Sequence, residues 1–429
     1  MRWRRAAKQT RMPSNIPRLR PAPDNAPLLE KTMLEPDRVA ALPVATPPAV
    51  LPYRIAFGTT VLERALHSNG HLDGIGTYTA EMLRHLPAAG IVPTKVAFEG
   101  FRGTAIGADV RPLAGTFSRN LLKSALLGLP FSGNAEMGRD FDLFHATDHH
   151  IPRYASLPVL ANLMDPVPLM NPEWSDAHLR QVKNWFFRRS AGWADHYVTI
   201  SHFVVDDLVR YFDVPREKIS VVELGVDEIY FERLSDAVRE QTMAALGIAG
   251  PFFLFVGTLQ PRKNVLHLIE AFNRLAEATR RACPLIVAGR AGWSSERERE
   301  ALARLAANGT GRWLDYVTPL QKRALLQSAR ALVLPSLYEG FGLPVLEAFA
   351  SGLPVIASNS SSIPEVAGEA ACLMDPQDST GLTEALARMH SDDAWHLRCA
   401  EAGSVRARAF TWSNTAQKTI SLYRRILDR

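Results

Sequence analysis

From Tyr53 onward, short apolar runs alternate with stretches of helical period, and this rhythm constrains the fold more than any other feature. "YRIAF" (53–57), "DLFHA" (142–146), "LPVLANL" (157–163), "HYVTI" (196–200) and "ISVVEL" (219–224) are too short for helices, and helix-like stretches such as 76–87 and 176–192 lie between most of them. Strands alternating with helices predict a parallel sheet covered on both faces. After a polar stretch at 232–250 the rhythm restarts with "FFLFV", "PLIVAG" (284–289), "LDYV" (314–317), "ALVLP" (331–335) and "PVIAS" (354–358). Helices near 264–280, 295–307, 320–329 and 343–351 separate these runs. The expected fold is α/β, with two Rossmann-like parallel-sheet domains at 53–235 and 236–408, and a chain of 429 residues has room for both cores. Ligands of such sheets bind outside the carboxyl ends of the strands, so two sheets facing each other make a cleft. An amphipathic helix closes the chain over 409–429.

The charge is unevenly placed. Among the first fifty residues nine are Lys or Arg and four are acidic, which accounts for the whole net charge of +5. That segment also holds nine prolines, so residues 1–52 are expected to be a disordered basic leader. The remainder is balanced, and nucleic acid is not an expected partner. No apolar run is long enough for a transmembrane helix. Cys283, Cys372 and Cys399 stand at no metal or redox spacing, which fits a cytoplasmic protein.

Two stretches of the second domain carry chemistry. In "YEGFGLPVLEAFASG" (338–352) a loop after a strand runs into a helix with Pro344 in its first turn. Glu339 sits in the loop and Glu347 in the helix, with Gly340 and Gly342 letting a ligand approach the backbone near a helix N-terminus. Carboxylates accept from sugar hydroxyls, and backbone amides suit a phosphate, so the pattern fits a ligand with hydroxyls at both ends and phosphate between. A capping glutamate and a solvated one would look the same. In "FVGTLQPRKN" (255–264) a turn with Gly257, Thr258 and Pro261 places Arg262 and Lys263 at a strand-to-helix junction, where a diphosphate would meet both cations.

The first domain offers weaker signals. Gly74 and Gly76 precede a helix in "HLDGIGTYTAEML" but lack the third glycine of a dinucleotide fingerprint. "FHATDHH" (144–150) gathers His145, Asp148, His149 and His150, too close in sequence to converge readily on one ion, and no metal is expected. Asp206–Asp207 and Asp392–Asp393 read as surface helix residues. "RNLLKSALLGLPF" (119–131) mixes cations with leucines, as a packed helix or one lying on an anionic surface would.

"EGFGLPVLE" resembles the Glu-x7-Glu motif of the retaining glycosyltransferases of family 4, which have the GT-B fold, and "VTISHFVVDDLVRYF", "ISVVELGVD" and "SSIPEVAGEAACLMDP" extend the likeness over roughly 53–425. The resemblance implies transfer of a hexose, with mannose from GDP-mannose as the expected donor, to a saccharide or lipid-linked saccharide. It implies no cofactor and no metal, and a final helix that crosses back to the first domain. Glu339, Lys263, Arg262 and Asp165 are then the catalytic candidates. Gly257, Thr258, Arg262, Lys263, Glu339, Gly340, Phe341, Gly342, Leu343 and Glu347 are the donor-binding candidates. Glu339 would hold the donor sugar and Glu347 the ribose, with the amides of Phe341, Gly342 and Leu343 on the diphosphate or sugar. Gly74, Gly76, His145 and His149 are the candidates for the acceptor and phosphate loop. Peripheral contact with the inner face of the membrane is a further expectation. Two positions depart from the family pattern: Met164 stands where many relatives have histidine, with His145 or His149 as its replacement, and Thr258 stands where arginine is common. A glycan-binding scaffold and a nucleotide-sugar epimerase of the same architecture are the alternatives.

Overall fold

Each apolar run contributes to a strand, because the central strands of these sheets are covered on both faces. In the computed structural model, which describes residues 51–67, 72–99, 107–171, 174 and 179–428, two all-parallel sheets follow one another along the chain. The leader expected at 1–52 lies, except for its last two residues, outside the described residues.

The first sheet holds β1 (Ile55–Gly58), β2 (Thr94–Glu99), β3 (Arg111–Thr116), β4 (Leu143–Ala146), β5 (Val159–Asn162), β6 (His196–Thr199) and β7 (Ile219–Val221) in the order 3-2-1-4-5-6-7. The second holds β8 (Phe253–Val256), β9 (Leu285–Ala288), β10 (Gly311–Leu314), β11 (Ala331–Leu334), β12 (Val355–Ser358) and β13 (Cys372–Met374) in the order 10-9-8-11-12-13. Each order reverses beside the sheet's first strand, between β1 and β4 and between β8 and β11. Such switch points leave a crevice at the carboxyl ends of the strands.

Nine helices position the site: α1 (Gly74–His85), α2 (Phe117–Leu127), α3 (Arg180–Ala191), α4 (His202–Phe212), α5 (Val265–Asn273), α6 (Pro319–Ser328), α7 (Leu343–Ala350), α8 (Ile363–Ala367) and α9 (Trp412–Leu427). The strand read at 314–317 is displaced: β10 ends at Leu314, leaving Asp315 and Tyr316 in the loop at its carboxyl end.

The last helix, α9, packs against α1 of the first half. The Tyr423 hydroxyl meets His145 at 2.6 Å, the Thr415 hydroxyl donates to the Glu223 carbonyl at 2.8 Å, and Lys418 pairs with Glu223. Trp412, Ala416, Ile420 and Tyr423 join Ile55, Phe57, Tyr78 and Met82 in a buried cluster that continues into the core around the second sheet. The chain reaches this position by passing Thr411–Trp412 tightly over Gly225, where a Cβ would lie 2.2 Å from the Trp412 nitrogen. Only glycine allows that approach.

Candidate active site

The loops after β8 and β11 are neighbours because their strands pair at the switch point. Backbone ties them directly, the Leu337 amide donating to the Arg262 carbonyl at 2.7 Å. Asn264 reinforces the join, its side-chain amide donating to the carbonyls of Pro335 and Pro376. Residues read from two separate stretches of sequence thereby share one cavity of about 960 Å³ between the two halves.

At its centre is the Glu339 carboxylate. One oxygen takes Lys263 Nζ at 2.6 Å and the Ser336 hydroxyl at 2.7 Å; the other takes Arg262 Nη1 at 3.1 Å. Burial alone would raise this carboxyl, but Lys263 and Arg262 outweigh it and hold it at about 2. Burial also lowers the Lys263 ammonium, against the pull of Glu339. The loop behind is fixed by serines: Ser361 accepts from the Glu339 amide, and Ser362 donates to the carbonyls of Glu339 and Phe341. These bonds fix the backbone that carries Glu339.

Glu347, on the first turns of α7, opens into the same cavity and pairs with Lys322 of α6 at 2.6 Å. The Lys322 ammonium also lies 5.5 Å from the centre of the Tyr230 ring. Burial, with Glu347 beside it, pushes the Tyr230 hydroxyl far above its ordinary range. Lys322 carried no sequence signal, since nothing in "TPLQKRALL" marks one lysine as facing a glutamate 25 residues on.

Across the cleft, Asp165 lines the cavity and accepts from the Val167 amide at 3.0 Å. Burial raises its carboxyl, with Arg262 opposing. A Cβ on Gly340 would stand 3.1 Å from the Met164 carbonyl and 3.3 Å from Asp165 Oδ2, so a side chain there would press on the opposite half. Three polar links hold the halves at this point. Ser201 Oγ donates to the Gly340 carbonyl, the Tyr338 hydroxyl donates to Asp207 at 2.8 Å, and Glu365 of α8 accepts from the His202 and Phe203 amides at the start of α4. Asp207 is therefore no plain surface residue. Neither Ser201 nor Glu365 was singled out by sequence, because each is explained only by its partner across the cleft.

The structure sorts the other candidates. Thr258, Arg262, Lys263, Glu339, Gly340, Phe341, Gly342, Leu343, Glu347, Asp165, Gly74 and His149 line the cavity, as does Met164. Three do not. His145 is fully buried, its ring bonded to Tyr423 and to Asn162 at 2.9 Å, and burial holds it at about 4, so it is a strut of the core and not part of an acceptor loop. Gly76 has its amide committed to the Asp73 side chain at 2.8 Å, the N-cap of α1. Gly257 lies behind Lys263, out of the cavity wall. Of the two histidines weighed as replacements at the Met164 position, only His149 reaches the cavity.

Among the described residues, Asp148, His149 and His150 bring one candidate ligand atom each within 4.8 Å. The Asp148 carboxylate is already engaged, accepting from the His150 amide at one oxygen and meeting its ring at 2.7 Å with the other. That pairing describes a fixed loop after β4.

Comparison with known proteins gives two family matches that follow the two halves. Residues 72–229 match the model for Glycosyltransferase Family 4, and residues 238–406 match that for Glycosyl transferases group 1. The chain is 30% identical over 231 residues to O-antigen chain mannosyltransferase B of Escherichia coli, covering 53% of this chain and 60% of that one. It is also 30% identical over 262 residues to alpha-maltose-1-phosphate synthase of Mycobacterium tuberculosis, covering 57% of this chain and 67% of that one. The fold matches the solved structure of sucrose-phosphate synthase from Thermosynechococcus elongatus with a TM-score of 0.67, at 19% identity over 88% of this chain and 99% of that one.

Proposed function

The chain belongs to the GT-B glycosyltransferases of group 1 and family 4, and from that premise we propose that it moves a hexose from a nucleotide sugar to a saccharide with retention of configuration. The observation that carries the reading is the Glu339 carboxylate clamped by Arg262 and Lys263 inside the cavity.

Without a ligand the two cations neutralise Glu339. An arriving diphosphate competes for them with a higher charge and bidentate geometry for Arg262. Glu339 then turns its acceptor-only oxygens to the hydroxyls of the hexose, and Glu347 takes those of the ribose. The amides that open α7 face the phosphates. In the transfer itself, the bond from the sugar C1 to the phosphate oxygen breaks while a bond from C1 to the acceptor oxygen forms on the same face. The acceptor's proton passes to the departing phosphate oxygen. Arg262 and Lys263 stabilise the charge that develops there, which is a transition-state role. In this scheme Asp165 orients the sugar from the opposite wall, and neither metal nor cofactor takes part.

The donor is proposed to be GDP-mannose, a choice supported by the likeness to the O-antigen mannosyltransferase. The acceptor is proposed to be a growing saccharide, lipid-linked and met at a membrane surface. One observation favours a second reading, a glycan-binding scaffold: Met164 fills a histidine position of the cavity wall. That reading requires binding without turnover.

Calorimetric titration of GDP and UDP into the protein and into Lys263→Ala tests the site. The expected result is tighter binding of GDP, weakened at least about tenfold by the substitution, or about 1.4 kcal/mol. Binding of neither nucleotide would remove the proposed placement of the diphosphate.

A further inference from the structure

An arginine side chain has five N–H donors, and the bonds made by Arg262 divide them unequally. Nε donates to the Gln260 amide oxygen at 3.1 Å. Nη1 donates to the Tyr338 carbonyl at 3.0 Å and to the Glu339 carboxylate at 3.1 Å. Nη2 has no partner among the described residues. Of the three acceptors only Glu339 carries charge, and it is the one that an arriving diphosphate is proposed to displace. Once Glu339 turns to the sugar, the Gln260 amide and the Tyr338 carbonyl are what still hold the guanidinium.

The local chain explains why Gln260 stands where it does. Leu259 continues β8 beside the loop after β9: its amide donates to the Arg290 carbonyl at 2.9 Å, and its carbonyl accepts from the Gly292 amide at 3.0 Å. Gly292 then lies against the stem of Gln260, since a Cβ there would stand 3.0 Å from Gln260 Cγ. One tight turn follows at Pro261–Lys263, closed by the Lys263 amide donating to the Gln260 carbonyl at 2.9 Å. The turn brings Gln260 and Arg262 to the same wall of the cavity. Because Nε–H only donates, the oxygen end of the Gln260 amide must face it. That bond occupies the side of the guanidinium formed by Nε and Nη2. What is left for a phosphate to grip is Nη2, joined by Nη1 once Glu339 has been displaced. A neutral amide holds the fork without neutralising it.

We infer that Gln260 is a positioning residue for Arg262, which turns the Nη1 and Nη2 end of the guanidinium towards the leaving phosphate and keeps it there after Glu339 has let go. The phosphate in this statement rests on the glycosyltransferase reading; the holding of Arg262 does not. Two measurements on the full chain test them separately. The Nε–H resonance of Arg262, assigned by its loss in Arg262→Lys, should be protected from solvent exchange in the free protein. It should lose that protection in Gln260→Leu and keep it in Gln260→Glu, which retains an oxygen acceptor. Calorimetric titration of GDP, or of UDP should the parent prefer it, is then run as a double-mutant cycle. Gln260→Leu should weaken binding about fivefold or more in the parent but less than about twofold in Arg262→Ala, a contrast that a general loosening of the loop would not produce. An Nε–H as well protected in Gln260→Leu as in the parent would overturn the inference. So would equal weakening in both backgrounds, because Gln260 would then not act through Arg262. Protection that depends on Gln260 in a protein that binds neither nucleotide would uphold the holding of Arg262, remove the phosphate from the statement and count against the donor site.

Discussion

At the residue scale the site is a set of pre-paired charges. Glu339 and Glu347 each hold a cation before any ligand arrives, but the partners differ in accessibility, Lys263 being buried and Lys322 partly open. The pairing of Lys322 makes it a positioning residue for Glu347. Lys322→Met should raise the KM for the proposed donor about tenfold with kcat little changed, because the ribose contact proposed for Glu347 would be made equally in ground and transition states. Lys322→Arg should restore most of the loss. An unchanged KM in Lys322→Met would show that Glu347 needs no such support. Glu339 and Glu347 were legible in sequence because one loop and one helix carry both. Lys322, Ser201 and Glu365 were not, since tertiary contact alone gives them meaning.

At the scale of elements, the strand rhythm was readable for most strands. β2, "TKVAFE", was missed although Val96, Ala97 and Phe98 are buried inside the first sheet, because Lys95 and Glu99 cut its apolar run to three residues. β3, "RPLAGT", escaped it: an edge strand, half exposed and containing Pro112, shows neither alternation nor an apolar run. β13 is the opposite edge of the other sheet and only three residues long. β10 was misplaced because Arg312 interrupts its apolar pattern, its guanidinium lying over the carbonyls of Leu246 and Gly247. The crossing of Thr411–Trp412 over Gly225 is equally invisible from spacing. Gly225→Ala would drive a methyl into backbone, and the expected result is a melting temperature lowered by roughly 5 °C or more, read by calorimetry. An unaltered melting temperature would mean that the crossing can shift at little cost.

At the scale of the whole molecule, His145 measures how firmly the last helix is seated. Its folded value of about 4 lies below the ordinary 6.5, so the unfolded chain binds a proton that the folded one refuses. Stability should therefore fall as pH drops from about 6.5 towards 4, by up to about 3 kcal/mol from this group. Glu339 acts elsewhere: its folded value is depressed, so its contribution is intact above the ordinary carboxylate range and is lost only as pH falls towards about 2. Urea midpoints at pH 7.5 and 5.5 should differ less in His145→Gln than in the parent, and an identical difference would show that burial of this ring is not what the acid attacks.

The seating of α9 also bears on the order of events during synthesis. The first sheet is complete once β7 has emerged, yet one of its faces is closed by Trp412, Ile420 and Tyr423. At about 5–20 residues per second, roughly 200 further residues take some 10–40 s. Through that interval the nascent first half presents an uncovered apolar face to the ribosome's surroundings, and any chain released early keeps it.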